Sequence, residues 1–429
     1  MLKLFLPFKN LIKIFKIKEL RKKLLFVCFI FIIFRIMANI PIPGVDAEQL
    51  KLFFEQFQVF GLLNVFTGGT LQNLSIIMLG LGPYITSTVI LQLLSMIFPQ
   101  LERMYKQEGE AGKEKFNQYG RIIAIPLALL QGYTMLTLFQ RQGVIGNLSA
   151  ISLFSSAITI AAGTMVLMWF GELISEKGIG NGTSLLIFAG IISKFPQNIL
   201  QIYSDIKTNA SRAPAYLFFL AFSLFIIFGV VLITEARRNI PVSYARRVRG
   251  RKMYGGAKTH LPLNINPAGV MPIIFALSLL TLPGMIANFF VGAQGIIGNI
   301  AKTIVDFFAN PLAYGIFYFV LVFLFVFFYT MVIFDPKTVS DNLKRMGGFI
   351  PGIRPGEPTT SFLHYTLYRI LPIGALFLGG VALAPTIIGK LTGILSFEFL
   401  VGGTSLLILV SVILETYQEI RAYLQMQEL

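Results

Sequence analysis

The sequence predicts an all-α membrane protein that crosses the bilayer ten times. Three observations predict it. The 429 residues are 55% hydrophobic and only 13% charged, with a mean hydropathy of +0.74, whereas a soluble domain carries about a quarter charged residues. Apolar runs recur along the whole chain, most of them near the roughly 20 residues that a helix needs to span a bilayer. The Lys and Arg residues collect between alternate runs, which is how a membrane protein encodes its orientation.

The first run, Leu24 to Met37, follows eight basic residues. Such a start resembles a signal peptide, but Met37-Ala38-Asn39-Ile40-Pro41 is a poor small-residue cleavage site. The run therefore reads as a retained span, with Arg35 reaching for the outer interface. The second element is broken. Gly61 to Thr70 is apolar but half a span long, and Gly68 and Gly69 end it. Leu74 to Phe98 is a full-length run with Gly80, Gly82 and Pro83 near its start. A half-helix at membrane depth cannot face lipid, because its loose N–H and C=O groups would lack partners. Either Gly61 to Thr70 folds into the interior of a channel or carrier, or it lies on the outer surface as an amphipathic loop.

The remaining runs are Ile122 to Phe139, Phe154 to Ile174, Thr183 to Tyr203, Ala215 to Thr234, Ala268 to Val291, Pro311 to Phe334, Tyr365 to Ile388 and Phe397 to Leu414. Lys194 and Pro196 interrupt the fifth span and make it the weakest. With the N-terminus inside, 27 Lys and Arg fall on cytoplasmic segments and 7 on outer ones, so both termini are expected in the cytoplasm. Ten spans divide into five and five, and an odd number per half turns the halves over relative to each other, as in inverted repeats. The expected units are residues 1 to 206, with spans one to five, and 207 to 429, with spans six to ten.

Two cytoplasmic loops are too long and too patterned for plain connectors. In 235 to 266, Ile240, Val242 and Tyr244 alternate with polar residues, a short strand signal, and a basic tip follows through Arg246, Arg247, Arg249, Arg251 and Lys252. Its charges either fix topology only or dock an acidic or phosphate-bearing partner, for which arginine forks are suited. In 335 to 363, Val339 to Met346 suits one or two helical turns. Gly348 to Pro358 is a rigid tip dense in Pro and Gly that presents Arg354 and Glu357.

Other chemistries are disfavoured. Cys28 is the one cysteine, so no intrachain disulfide forms, and His260 and His364 are too few for a zinc site. There is no Ser-His-Asp set and no Gly-rich phosphate loop, so neither an enzyme nor a cofactor is expected. Glu172, Glu235, Asp335 and Glu415 all fall at span ends, where hydrated carboxylates belong. A proton- or ion-coupled carrier needs an ionisable group near the midplane, which leaves a secondary transporter with a broken-helix site as the second reading.

The set Gly348-Gly-Phe-Ile-Pro-Gly-Ile-Arg-Pro-Gly-Glu357, Gly178-Ile-Gly-Asn-Gly182, Thr259-His-Leu-Pro-Leu263, Ala268-Gly-Val-Met-Pro272 and Gly402-Gly-Thr-Ser405 resembles the SecY family, the large subunits of bacterial protein-conducting channels. The likeness covers essentially the whole chain. It implies a clamshell of two five-span halves around an hourglass pore in the cytoplasmic membrane, through which unfolded secretory polypeptides pass. Membrane segments and signal peptides leave sideways into lipid, through a gate between spans two/three and seven/eight. The resemblance implies a plug at about Leu62 to Leu71, including Leu63, Val65, Phe66, Thr67, Gly68, Gly69 and Thr70. It implies a pore ring of Leu81, Ile85, Ile187, Ile274 and Ile408, with Thr183 at a sixth position where the family usually carries isoleucine. Arg246, Arg247 and Arg251 match the loop that docks the ribosome or the SecA motor, and Arg354 matches the critical arginine of the second loop. Arg249, Lys344, Arg345 and Glu357 lie on the same loops and are read with them. SecE and SecG are the membrane partners that the resemblance implies.

Overall fold

The computed structural model describes residues 17–42, 70–71, 73–106, 108–141, 143, 145–146, 149–244, 247–249, 252–254, 258–291, 295–392 and 403–427. Each of the ten apolar runs lies at least in part on a helix. In chain order these are α1 (Lys18–Met37), α2 (Gly82–Ile97), α4 (Gly109–Arg141), α5 (Ala150–Lys177), α6 (Gly182–Thr208), α7 (Ala213–Glu235), α8 (Met271–Phe290), α10 (Pro311–Ile333), α12 (Glu357–Thr392) and α13 (Gly403–Gln427). Shorter helices stand between them: α3 (Pro99–Lys106), α9 (Ile296–Ala309) and α11 (Pro336–Arg345). Local chemistry sets many starts. Ser149, Asn181, Asn310 and Asp335 each accept a backbone N–H at the head of the helix that follows. Proline opens α2, α7, α8, α10 and α11, where its missing donor costs nothing.

The second run departs from expectation. Leu74 to Leu81 is a chain of turns, and the helix begins only at Gly82, with Pro83 in its first turn. Leu74 sits at a φ of 41°, which no helix contains. The segment is tied to the end of span one instead. Ile42 N–H donates to Leu74 O (2.9 Å) and Ile76 N–H to Ile40 O (3.0 Å), around a bridge between Pro41 and Ser75. Leu71, Leu74 and Met78 are buried there against Met135, Leu136 and Phe139 of α4 and Leu153, Ala157 and Ile160 of α5. Apolar content marked burial at this place and said nothing of backbone shape. Helix α2 also breaks at Phe98, where the chain bends by 115° into α3. The fifth span is stronger than expected, since α6 runs unbroken through Lys194 and Pro196.

The loops add a small β structure to the helical fold. Strands β1 (Arg237–Tyr244), β4 (Lys258–Asn264) and β5 (Gly348–Phe349) form one sheet in the order β4-β1-β5, all neighbours antiparallel. Strands β2 (Arg247–Arg249) and β3 (Lys252–Tyr254) pair at the tip of the first loop. The alternation at Ile240 and Val242 is borne out, since both are buried and their neighbours Asn239 and Pro241 are exposed. Residues of α1, α2, α5, α6, α7, α8, α10, α12 and α13 share one apolar core cluster. At one end the start of α1 meets the end of α13, where Tyr423 hydroxyl donates to Glu19 (2.5 Å) and Lys23 lies over the Tyr423 ring.

Candidate functional site

The expected ring residues come from four helices, all from near their first turns. Leu81 immediately precedes α2 and Ile85 lies in its first turn. Ile187 is on α6, Ile274 on α8 and Ile408 on α13. Leu81, Ile187, Ile274 and Ile408 are buried in the main apolar cluster, and half-buried Ile85 packs against it. Hence one apolar body holds residues from 81 to 408, drawn from both halves of the chain.

Thr183 is held differently. Its hydroxyl donates to Asn181 Oδ1 (2.6 Å), and Asn181 Oδ1 also accepts Thr183 N–H (3.1 Å). The polar side chain is part of the cap of α6, a role isoleucine could not fill. Beside it, α5 and α6 cross very closely. A Cβ placed on Gly182 would stand 1.9 Å from Gly171 O, and one on Gly171 would stand 3.2 Å from Thr183 Cγ2. The last glycine of the Gly178-Ile-Gly-Asn-Gly182 motif thus has a steric cause, since only glycine fits at this crossing, while Gly178 lies against Ile174 O and Gly180 takes a φ of 83°.

Of the expected plug, Leu62, Leu63, Val65, Phe66, Thr67, Gly68 and Gly69 lie outside the described residues. Thr70 and Leu71 are described, and both are buried. Ser75 N–H donates to Thr70 O (3.1 Å), and Leu71 joins the second apolar cluster with Leu74 and Met78. The stretch just before α2 is therefore anchored.

The two long loops prove to be one body. Strand β5 of the second loop pairs with β1 of the first, with Tyr244 opposite Gly348. Ile240, Leu263, Ile350 and Leu363 form a private core beneath the sheet, with Val339 and Ile353 packed on it. The tip is pinned from below. Ser340 hydroxyl donates to Gly356 O (2.8 Å) and Thr359 hydroxyl to Arg354 O (2.9 Å), while Gly352 and Gly356 adopt φ of 85° and 101°, which glycine takes without strain. The side chains of Lys344, Arg345, Arg354 and Glu357 are exposed on this frame. Arg247 and Arg249 sit on β2, while Arg246 and Arg251 lie outside the described residues. The signal for the joint was present in Gly348-Phe-Ile350, a short apolar stretch inside a polar tip.

Charge pairing adds one contact that the sequence did not reveal. Glu172, expected as a hydrated carboxylate, lies 2.6 Å from Arg121 Nε and bridges α5 to α4. Among the described residues no group of His, Cys, Asp and Glu could hold a metal ion.

Comparison with known proteins agrees in sequence and in fold. The family whose model matches is SecY, over residues 75–417. The chain is 42% identical to the protein translocase subunit SecY of Streptomyces scabiei, covering 96% of each chain. It is 39% identical to that of Aquifex aeolicus, again over 96% of each, and 42% identical to that of Thermus thermophilus, over 96% of this chain and 94% of the other. Among solved structures, a protein-conducting channel superposes with a TM-score of 0.64 at 18% identity, over 92% of this chain and 91% of that one. Sec61 from a canine ribosome–channel complex superposes with a TM-score of 0.60 at 17% identity, over 92% and 91%.

Proposed function

The chain belongs to the SecY family, and from that membership we infer how its parts divide the work of a protein-conducting channel. It is a multi-pass membrane protein and the channel subunit of a protein translocase, not an enzyme. The observation that carries the assignment of parts is the apolar body that draws Leu81, Ile85, Ile187, Ile274 and Ile408 from four helices.

A channel for unfolded chains of any sequence cannot offer specific polar contacts. It needs an apolar, deformable constriction that closes when empty. Leu and Ile give apolar girth without hydrogen-bonding partners, so water leaves the narrow ring and ions are blocked by dewetting. In this reading those five residues form the ring, Thr183 borders it through its cap, and Leu62 to Leu71 closes it from the outer side. The pore lies between halves 1 to 206 and 207 to 429. The lateral gate lies between α2/α4 and α8/α10. At that gate a nascent segment is sorted by partition. Leu, Ile, Phe and Val each favour the membrane centre by roughly 0.3 to 0.6 kcal/mol, against about 2.5 to 3.5 for a charge. Ten apolar residues then favour lipid by about 3 to 6 kcal/mol, and one or two charges cancel that preference.

The sheet body is the docking surface, with Arg246, Arg247, Arg249, Arg251, Lys344, Arg345, Arg354 and Glu357 as its contacts. Its partners are the SecA ATPase and the ribosome, and SecE and SecG complete the membrane complex. Both termini face the cytoplasm in the bacterial inner membrane. One structural neighbour, Sec61, comes from a canine ribosome–channel complex, which supports the ribosome as a partner.

The test is reconstitution in vesicles with the membrane partner subunits and the motor ATPase. The expected result is ATP-dependent, protease-protected accumulation of an unfolded secretory precursor. Failure of a folded, inserted preparation to accumulate it, with uptake of a small solute along an ion gradient instead, would favour a carrier and overturn this reading.

A further inference from the structure

Helix α9 lies at the end of the bundle opposite the sheet, because α8 leaves the sheet at its first turn and reaches α9 at its last. Its fourteen residues rise about 21 Å, short of the roughly 30 Å hydrocarbon core. It therefore does not span. On a wheel of 3.6 residues per turn its side chains fall into three arcs. Gly298 and Ala301 are buried, and Phe308 packs on the main core cluster. Asn299, Lys302, Thr303 and Asp306 form a polar, exposed arc. Ile296, Ile300 and Phe307 form a third arc that is apolar and exposed, at 78%, 55% and 46%.

That third arc runs directly into the surface of a spanning helix. The Phe307 ring meets the Phe317 ring of α10 edge to face at 6.1 Å, and Phe308 meets Tyr314 at 6.5 Å. On α10 itself Leu312, Ile316 and Phe317 are exposed, as expected where lipid is the solvent. The junction is fixed. Asn310 ends α9 and its side chain accepts Leu312 N–H (3.1 Å) at the head of α10, with Pro311 between. A helix divided into apolar and charged arcs, and held beside lipid-facing surface, is built for a bilayer interface.

We propose that α9 lies in the outer membrane interface, with Ile296, Ile300 and Phe307 sunk among the acyl chains and Lys302 and Asp306 in water. The occupant of the exposed arc is phospholipid. The proposal needs that the chain spans a bilayer with the sheet on the cytoplasmic side, so it stands apart from the assignment of the ring.

The test uses single cysteines in a Cys28→Ser chain, spin-labelled and reconstituted in vesicles of phosphatidylethanolamine and phosphatidylglycerol. Collision with oxygen, which partitions into lipid, is compared with collision with a water-soluble nickel chelate. Labels at 224, on the exposed apolar face of α7, and at 344, on the exposed loop body, serve as lipid and water references. Labels at 300 and 307 are expected to match the lipid reference, and labels at 302 and 306 the water reference. An aqueous signature at 300 and 307 would overturn the proposal. So would shielding from both reagents, which would mean that protein covers the arc. The same signature at 300 and 302 would also overturn it, since the arcs would then not exist in the bilayer.

Discussion

Ser243 and Phe349 stand opposite each other in one antiparallel pair, although one belongs to the loop between α7 and α8 and the other to the loop between α10 and α12. The pairing makes a single folded body out of two loops that hydropathy alone would treat as separate connectors. Truncating the buried Ile350 to Ala should therefore loosen both loops. The expected cost is about 2 to 5 kcal/mol for a buried aliphatic side chain. Amide exchange in Arg237–Tyr244 should accelerate together with exchange around Gly348. If exchange in the first loop stays unchanged, the two loops are energetically separate.

Arg354 is exposed while its own carbonyl is held by Thr359, so the side chain is free to contact a partner and the backbone is not free to move. Arg354→Glu should leave the protein folded and inserted but abolish motor-driven transport. Removing one side of a desolvated charged pair costs about 2 to 5 kcal/mol, and charge reversal adds repulsion. Transport at the normal rate by the purified variant would reject the docking role.

For the seal, two readings of the same burial predict opposite outcomes. If Ile85, Ile187, Ile274 and Ile408 are ordinary core, replacement by Asn lowers stability and yield and nothing else. If they form the ring, Asn holds water in the constriction and weakens the closed state. Single-channel conductance in planar bilayers should then rise for each variant, and rise further when residues 62 to 71 are deleted. Wild-type closed conductance with reduced thermal stability at all four positions would make them core.

The crossing of α5 and α6 should resist any added atom. Gly182→Ala brings a methyl to within 1.9 Å of Gly171 O, and backbone cannot yield as a side chain can. The thermal midpoint of the detergent-purified protein should fall, by an amount matching about 1 to 3 kcal/mol of overpacking. Gly380→Ala, which meets nothing within 4 Å, should not lower it. Equal midpoints for the two variants would mean that the crossing relaxes in solution.

Orientation can be read directly. In a Cys28→Ser background, cysteines placed near Arg249 and Gly352 should react with an impermeant maleimide only from the cytoplasmic side. Reaction of either from outside would overturn the charge-sorted topology.

Much of this architecture was legible because hydropathy and charge act over whole spans. Errors at Lys194 or Pro196 do not move a helix that its other residues favour. Chemistry that depends on a few atoms was less visible. Leu74 to Leu81 has the composition of a helix, and only its hydrogen bonds to Ile40 and Ile42 make it a run of turns. Helix α9 carries no continuous apolar run, since its apolar residues are split between a protein-facing and an exposed arc, and a span search passes over it. Thr183 stood out as a polar residue at an expected apolar position, but the reason lies in Asn181, two residues away, whose capping oxygen it shares. The glycines of 178 to 182 carry the family resemblance, and each has its own local cause: a Cβ on Gly182 would meet Gly171 O, one on Gly178 would meet Ile174 O, and Gly180 holds a φ of 83°.

The joint between β1 and β5 has a mechanical result. Strand β1 begins two residues after α7 ends, β4 leads into α8, and β5 lies between α11, which continues from α10, and the start of α12. Four helices are thus spliced to one small, stiff plate, and close-packed interiors transmit strain instead of absorbing it. A force applied at the tip around Arg354 is delivered as a torque on all four at once. The plate is a handle on these four helices, which it couples so that they take the load together.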